Sequence, residues 1–130
     1  MIELENITKR FADGQRSQTV LNHLSLRVEE GEFIAITGES GVGKTTLLNI
    51  LGTLLPADEG QYLMRGEKVE VNDKKPTERI CHLRNKEIGF VYQDHRLLPQ
   101  FTVLQNIFLP TLATQTASTD EERKRALDLL

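Results

Sequence analysis

Ile2, Leu4 and Ile7 are spaced by polar residues, a pattern that predicts a strand running to the aromatic Phe11. Residues 12–17, with Asp13-Gly14 among them, form a turn or short loop. Leu24, Leu26 and Val28 then alternate with polar positions, as in a half-exposed antiparallel strand over residues 19–28. After the turn Glu30-Gly31-Glu32 the pattern changes. Phe33-Ile34-Ala35-Ile36-Thr37 is a continuous apolar run, suited to a parallel strand covered on both faces. A helix is predicted over residues 43–51, ending at Gly52 or near Pro56. Ala57-Asp58-Glu59-Gly60 is a turn, and residues 61–64 and 68–71 make a hairpin around Arg65-Gly66-Glu67. Pro76 suits the first turn of a helix through Ile80, Cys81 and Leu83, and Ile88-Gly89-Phe90-Val91-Tyr92 is strand-like again. Beyond Gln93, Leu97-Leu98-Pro99 is a loop and Thr102 caps a short apolar helix with Val103, Ile107 and Phe108. Residues 113–118 are a small, polar linker. Ser118-Thr119-Asp120-Glu121 has the shape of a capping box, Glu121 and Arg125 are spaced as an i,i+4 pair, and the helix carries Ala126, Leu127, Leu129 and Leu130. The class is α/β.

Candidate chemistry sits where the apolar run meets the first helix. Gly38-Glu39-Ser40-Gly41-Val42-Gly43-Lys44-Thr45-Thr46 fits the phosphate-binding pattern G-x-x-x-x-G-K-[ST]. Glycines keep side chains out of the way, so successive backbone N–H groups can point at phosphate oxygens. The helix behind adds the positive end of its dipole. Lys44 is placed to reach β- and γ-phosphates, and the Thr45 hydroxyl to bind Mg²⁺, which makes ATP and Mg²⁺ the expected ligands. The bland alternative is a glycine-rich turn joining strand to helix. Such a turn needs neither Lys44 nor the hydroxyl after it.

Composition narrows the picture in a few places. A length of 130 residues makes one domain the default and is enough for a real core. Sixteen basic against nineteen acidic residues, scattered along the chain, give a net charge of −3 and argue against nucleic acid as a partner. The one cysteine, Cys81, cannot form an intrachain disulfide and fits a reducing compartment; a part-buried thiol on a helix is the expectation. His82 beside it has no second cysteine or spaced histidine to complete a metal site. Met1-Ile2-Glu3-Leu4-Glu5 is acidic where a secretory signal is basic, and the apolar stretches are too short to span a membrane. These features predict a soluble, cytoplasmic chain without direct membrane insertion.

The sequence resembles the nucleotide-binding subunits of ATP-binding cassette (ABC) transporters. Leu4-Glu5-Asn6-Ile7-Thr8-Lys9-Arg10-Phe11 is similar to the family's opening strand, ending in an aromatic that stacks on adenine. Val20-Leu21-Asn22-His23-Leu24-Ser25-Leu26 resembles the strand that follows. The loop from Gly38 to Thr46 includes the family's Ser40-Gly41, with Thr45 in place of the more usual Ser. Ile88-Gly89-Phe90-Val91-Tyr92-Gln93 resembles the strand leading to the family's Q-loop. Together with Leu97-Leu98-Pro99 and Asn106-Ile107 it looks most like the group serving lipoprotein release and macrolide efflux.

The resemblance implies a partial P-loop NTPase domain: residues 1–30 and 60–72 as an antiparallel β subdomain, 31–56 and 86–93 as the P-loop core, 94–130 as the start of a helical subdomain. It implies that Phe11 stacks on the base and that Gln93 joins the Mg²⁺ shell. The expected partners are a membrane permease subunit and a second ATP-binding subunit, with the protein peripheral at the inner membrane through the permease. Read on their own chemistry, Phe11 could instead close the small sheet as a core aromatic, and Gln93 could cap a loop. Leu97, Leu98 and Phe101 could dock a permease helix or pack under their loop.

The family's LSGGQ signature, its Asp-Glu strand and its later His do not occur in this sequence, and neither Glu39 nor Asp94 stands at the family's catalytic position. The expectation is therefore a fragment competent at most for nucleotide binding, with residues 33–37 short of strand neighbours and the fold marginal. The alternatives are a non-enzymatic ATP-binding or interaction module, a soluble non-transport ABC ATPase, and a small-molecule kinase.

Overall fold

The computed structural model describes residues 1–14, 16–72, 75–94, 96–112 and 119–128. The chain divides into two compact units, Met1–Cys81 and His82–Leu130. In the first, β1 (Ile2–Asp13) and β2 (Arg16–Val28) form a long antiparallel hairpin, with Ile2 opposite Val28 and Asp13 opposite Arg16. The other edge of β1 pairs with β3 (Glu59–Met64), which turns into β4 (Glu67–Val69). Spatial order is β2-β1-β3-β4. Leu4, Ile7, Tyr62, Met64 and Val69 bury one face, joined by Leu47 and Ile50 of α1 (Lys44–Leu51). Each fully buried side chain of this size contributes about 1.5–3 kcal/mol. The Tyr62 phenol donates to the Leu51 carbonyl at 3.0 Å, tying sheet to helix end; burial pushes it up to about 12, so it remains a donor.

The hairpin is not regular. Its register shifts between Leu4 and Ile7 and twice more before Arg10, and Asn6 and His23 take left-handed backbones, φ 51° and 48°. Hydroxyls cover the freed amides: Asn6 N–H donates to Ser25 Oγ at 3.0 Å, and His23 N–H to Thr8 Oγ1 at 3.2 Å. On the β3 side Gly60 faces the same irregularity, at φ +100°.

Asp58, in the turn before β3, grips β1 at three consecutive residues. Its N–H donates to Thr8 O at 2.9 Å, its Oδ2 accepts Arg10 N–H at 2.6 Å, and its Oδ1 accepts Lys9 Nζ at 3.0 Å. Burial by itself pushes the carboxyl up, but the Arg10 amide, then the bond and charge of Lys9 and the charge of Arg10, outweigh it and hold Asp58 below the ordinary 3.8. A depressed carboxylate stabilises the fold above its unfolded value and loses that contribution as pH falls through the folded one. Asp58→Asn should therefore lower the urea midpoint at about pH 6, and the difference from wild type should shrink toward about pH 3. A gap that stays constant across that range contradicts the assignment.

The second unit holds α3 (Val103–Leu112) and α4 (Asp120–Asp128); α2 (Glu78–Lys86) carries the chain into it. Thr102 caps α3 reciprocally, its hydroxyl accepting Gln105 N–H at 3.3 Å and its own N–H reaching Gln105 Oε1 at 2.8 Å. Asn106 organises the loop before it, its Oδ1 accepting Leu98 N–H at 2.8 Å and its Nδ2 donating toward the carbonyls of Leu98, Phe101 and Thr102.

Several sequence expectations are corrected. Residues 33–37 and 88–92 are not strands, and Phe33 and Val91 are 92% and 97% exposed. An extended run becomes a strand only when neighbours satisfy its amides, and among the described residues none do. The box before α4 is one residue later than expected: Thr119 Oγ1 accepts Glu122 N–H at 3.2 Å and Glu122 Oε2 accepts Thr119 N–H at 2.9 Å. Cys81 is exposed on α2 rather than part-buried. The linker over residues 113–118, Leu129 and Leu130 lie outside the described residues.

Candidate functional site

The phosphate-loop residues wrap from the extended segment into α1. Gly38, Gly41 and Gly43 hold φ of +140°, +82° and +105°, conformations that L side chains rarely adopt. Gly43 is the N-cap of α1 and brings no side-chain cap to it. Before the helix the backbone turns at Ser40 and Gly41. The helix ladder opens only with Leu47 N–H to Gly43 O at 2.9 Å, so the amides of Lys44, Thr45 and Thr46 are its unmatched first-turn donors. Unmatched amides at the positive end of a helix can receive an anion.

Lys44 Nζ donates to Gly38 O at 2.9 Å and Glu39 O at 2.6 Å, folding the ammonium over the loop that it follows. Thr45 is exposed and Thr46 half-buried, while Glu39, Ser40, Gly41 and Val42 are open to solvent. The loop is fixed to the sheet at Gly43. A Cβ there would stand 3.0 Å from Val20 Cγ1, 3.1 Å from Leu21 Cδ2 and 3.2 Å from Val20 O. Leu21 is the cross-strand partner of Lys9, and Phe11 follows two residues later on β1, about 7 Å along the strand. Phe11 is 41% exposed, so it is not a core aromatic; Lys9 Nζ lies 5.6 Å from its ring centroid. Val20, Leu21, Lys9 and Asp58 were not legible as site neighbours, because their contacts join residues far apart in sequence.

Gln93 belongs to the second unit and is exposed. Its flanks are ordered by stacking: Phe90 and Tyr92 rings lie 4.5 Å apart, and the Arg96 guanidinium sits 4.7 Å from the Tyr92 centroid. Leu97, Leu98 and Phe101 are exposed too, rather than packed beneath their loop. Among the described residues no group of three or more His, Cys, Asp or Glu is placed to hold a metal, and no helix is long and apolar enough to cross a membrane.

Comparison with known proteins decides between the readings. The ABC transporter family profile matches residues 21–130. The chain belongs to the ABC transporter family. This sets aside the small-molecule kinase. The lipoprotein-releasing system ATP-binding protein LolD of Bacteroides thetaiotaomicron is 42% identical over 130 residues, covering all of this chain and 56% of that protein. The macrolide export ATP-binding/permease protein MacB of Pasteurella multocida is 40% identical over 131 residues, covering all of this chain and 19% of that protein. Among solved structures, the dimeric post-hydrolysis state of the ATP-binding cassette MJ0796, bound to ADP and Pi, matches with a TM-score of 0.85 at 37% identity. That match covers 98% of this chain and 55% of the other. This ABC chain thus spans about half the length of the LolD and MJ0796 proteins, and the α/β P-loop NTPase class is the fold of its structural neighbours.

Proposed function

We propose that this chain supplies the nucleotide-binding part of an ABC transport ATPase, holding ATP with Mg²⁺ at the loop from Gly38 to Thr46. One observation carries the reading: three left-handed glycines lead into α1, whose unmatched Lys44, Thr45 and Thr46 amides stand beside a Lys44 ammonium folded back over the loop. The amides and the helix end receive the phosphates. Lys44 exchanges the Gly38 and Glu39 carbonyls for β- and γ-phosphate oxygens. Phe11 gives its exposed ring to adenine. The neutral Thr45 hydroxyl suits Mg²⁺, a hard cation that takes one or two protein donors beside phosphate and water, and the Gln93 amide oxygen is by its own chemistry a donor of the same kind. When bound, that ion neutralises charge on the β- and γ-oxygens.

In the intact protein this function extends to transport. The likeness to LolD and MacB supports ATP-driven export or extraction of a substrate through a membrane permease, with a second ATP-binding subunit as partner and placement at the cytoplasmic side of the inner membrane. Exposed Leu97, Leu98 and Phe101 give the permease an apolar contact. Residues 1–30 and 60–72 act as the base-contacting β part, 31–56 and 86–93 as the phosphate-binding core, and 94–130 as the permease-facing helical part.

Titration with a fluorescent ATP analogue tests the loop. Binding should be micromolar and Mg²⁺-dependent, and Lys44→Ala should weaken it by about tenfold to a hundredfold, the worth of a charge-assisted phosphate contact. An unchanged affinity in Lys44→Ala would mean that the nucleotide, if held, is held elsewhere.

A further inference from the structure

We propose that Lys9 and Asp58 are positioning residues for the base-stacking ring of Phe11, setting how tightly a purine is held without touching phosphate. The inference rests on the reading of Phe11 given under the proposed function. It starts from an oddity: Lys9 is 7% exposed, and lysines are rarely buried unless paired. Its partner is Asp58, at 3.0 Å, and the same ammonium stands 5.6 Å from the Phe11 centroid. Asp58 also holds the N–H of Arg10, the residue between Lys9 and Phe11, and donates its own N–H to Thr8 O.

One turn residue therefore fixes three successive positions of β1, and Phe11 is the next. Leu21, directly across from Lys9, touches the place where a Gly43 side chain would stand. The aromatic ring and the phosphate loop are thus referenced to the same register of one hairpin. Two consequences follow. An ammonium held over one face restricts the ring before any base arrives, so less rotamer freedom is lost on stacking. The part of the ring left in solvent is then the part that a purine can cover.

Calorimetry separates this role from simple structural support. ATP and inorganic tripolyphosphate are each titrated, with Mg²⁺, into wild type, Lys9→Met, Lys9→Arg, Phe11→Ala and the Lys9→Met/Phe11→Ala double variant. Lys9→Met keeps the apolar stem and removes the charge. It should weaken ATP about two- to fivefold, the worth of a cation–π contact, and leave tripolyphosphate unchanged. Lys9→Arg should restore most of the loss, and Lys9→Met should add nothing once Phe11 is gone. Equal losses for ATP and tripolyphosphate, an unaltered ATP affinity, or additive losses in the double variant would overturn the positioning role. If wild type fails to bind tripolyphosphate, or Lys44→Ala binds both ligands as tightly as wild type, the loop reading itself falls and takes this one with it.

Discussion

Gly60→Ala lowers the thermal midpoint of the first unit by about 10 °C or more, the largest loss expected of a methyl added at the described glycines of positive φ. A Cβ at this position would lie 2.6 Å from both Asn6 O and Glu5 O, well inside van der Waals contact. Those atoms are backbone in a paired strand and cannot rotate away. The φ of +100° adds strain of its own, and together they cost about 2–4 kcal/mol. That is a large share of the roughly 5–15 kcal/mol that holds a domain together. Gly66→Ala is the control: its φ is +81°, but nothing lies within 4 Å of its added Cβ, so about 1 kcal/mol is lost. Circular dichroism melts of the two variants check the comparison. Equal shifts would mean that backbone strain alone, and not the closeness of β1, decides the cost.

Gly43→Ala removes nucleotide binding more completely than loss of any one contact. Its Cβ would press on Val20 and Leu21 of β2, and the backbone conformation that aims the loop amides is closed to alanine. Relief shifts the start of α1 or its neighbours by a few tenths of an ångström, and with the strain at φ +105° this moves the unmatched donors together. Lys44→Ala deletes one ligand contact; Gly43→Ala misplaces the set. Fluorescent-ATP titration should show no saturable binding, while the thermal midpoint falls less than in Gly60→Ala, since two of the crowded atoms belong to side chains. Retained micromolar affinity would show that the loop tolerates a different backbone, and the anion-cradle reading would lose its geometric basis.

The elements visible in the sequence are those whose signals are local. The strands of the hairpin follow from two-residue alternation, α1 from its glycine boundaries, and α3 from Thr102, whose reciprocal bond with Gln105 needs only neighbours in sequence. The apolar run over residues 33–37 shows where such reading stops. Hydrophobicity marks a segment that can be a buried strand, but pairing partners make it one, and Phe33 stands in solvent. Residues 88–92 repeat the lesson.

By itself, the order of residues marked the candidate phosphate loop, because the chemistry proposed for it needs glycines, a lysine and a hydroxyl at fixed spacing, and that spacing is local. Family membership was legible for the same reason, in several short motifs kept in order. Tertiary structure alone decided what anchors the loop and the aromatic. Gly43 rests on Val20 and Leu21, and Asp58 reaches back 49 residues to Lys9. Such contacts depend on strand register and on a bulged hairpin, which no short stretch of sequence encodes, because each is a compromise among strands that meet only once the chain has folded.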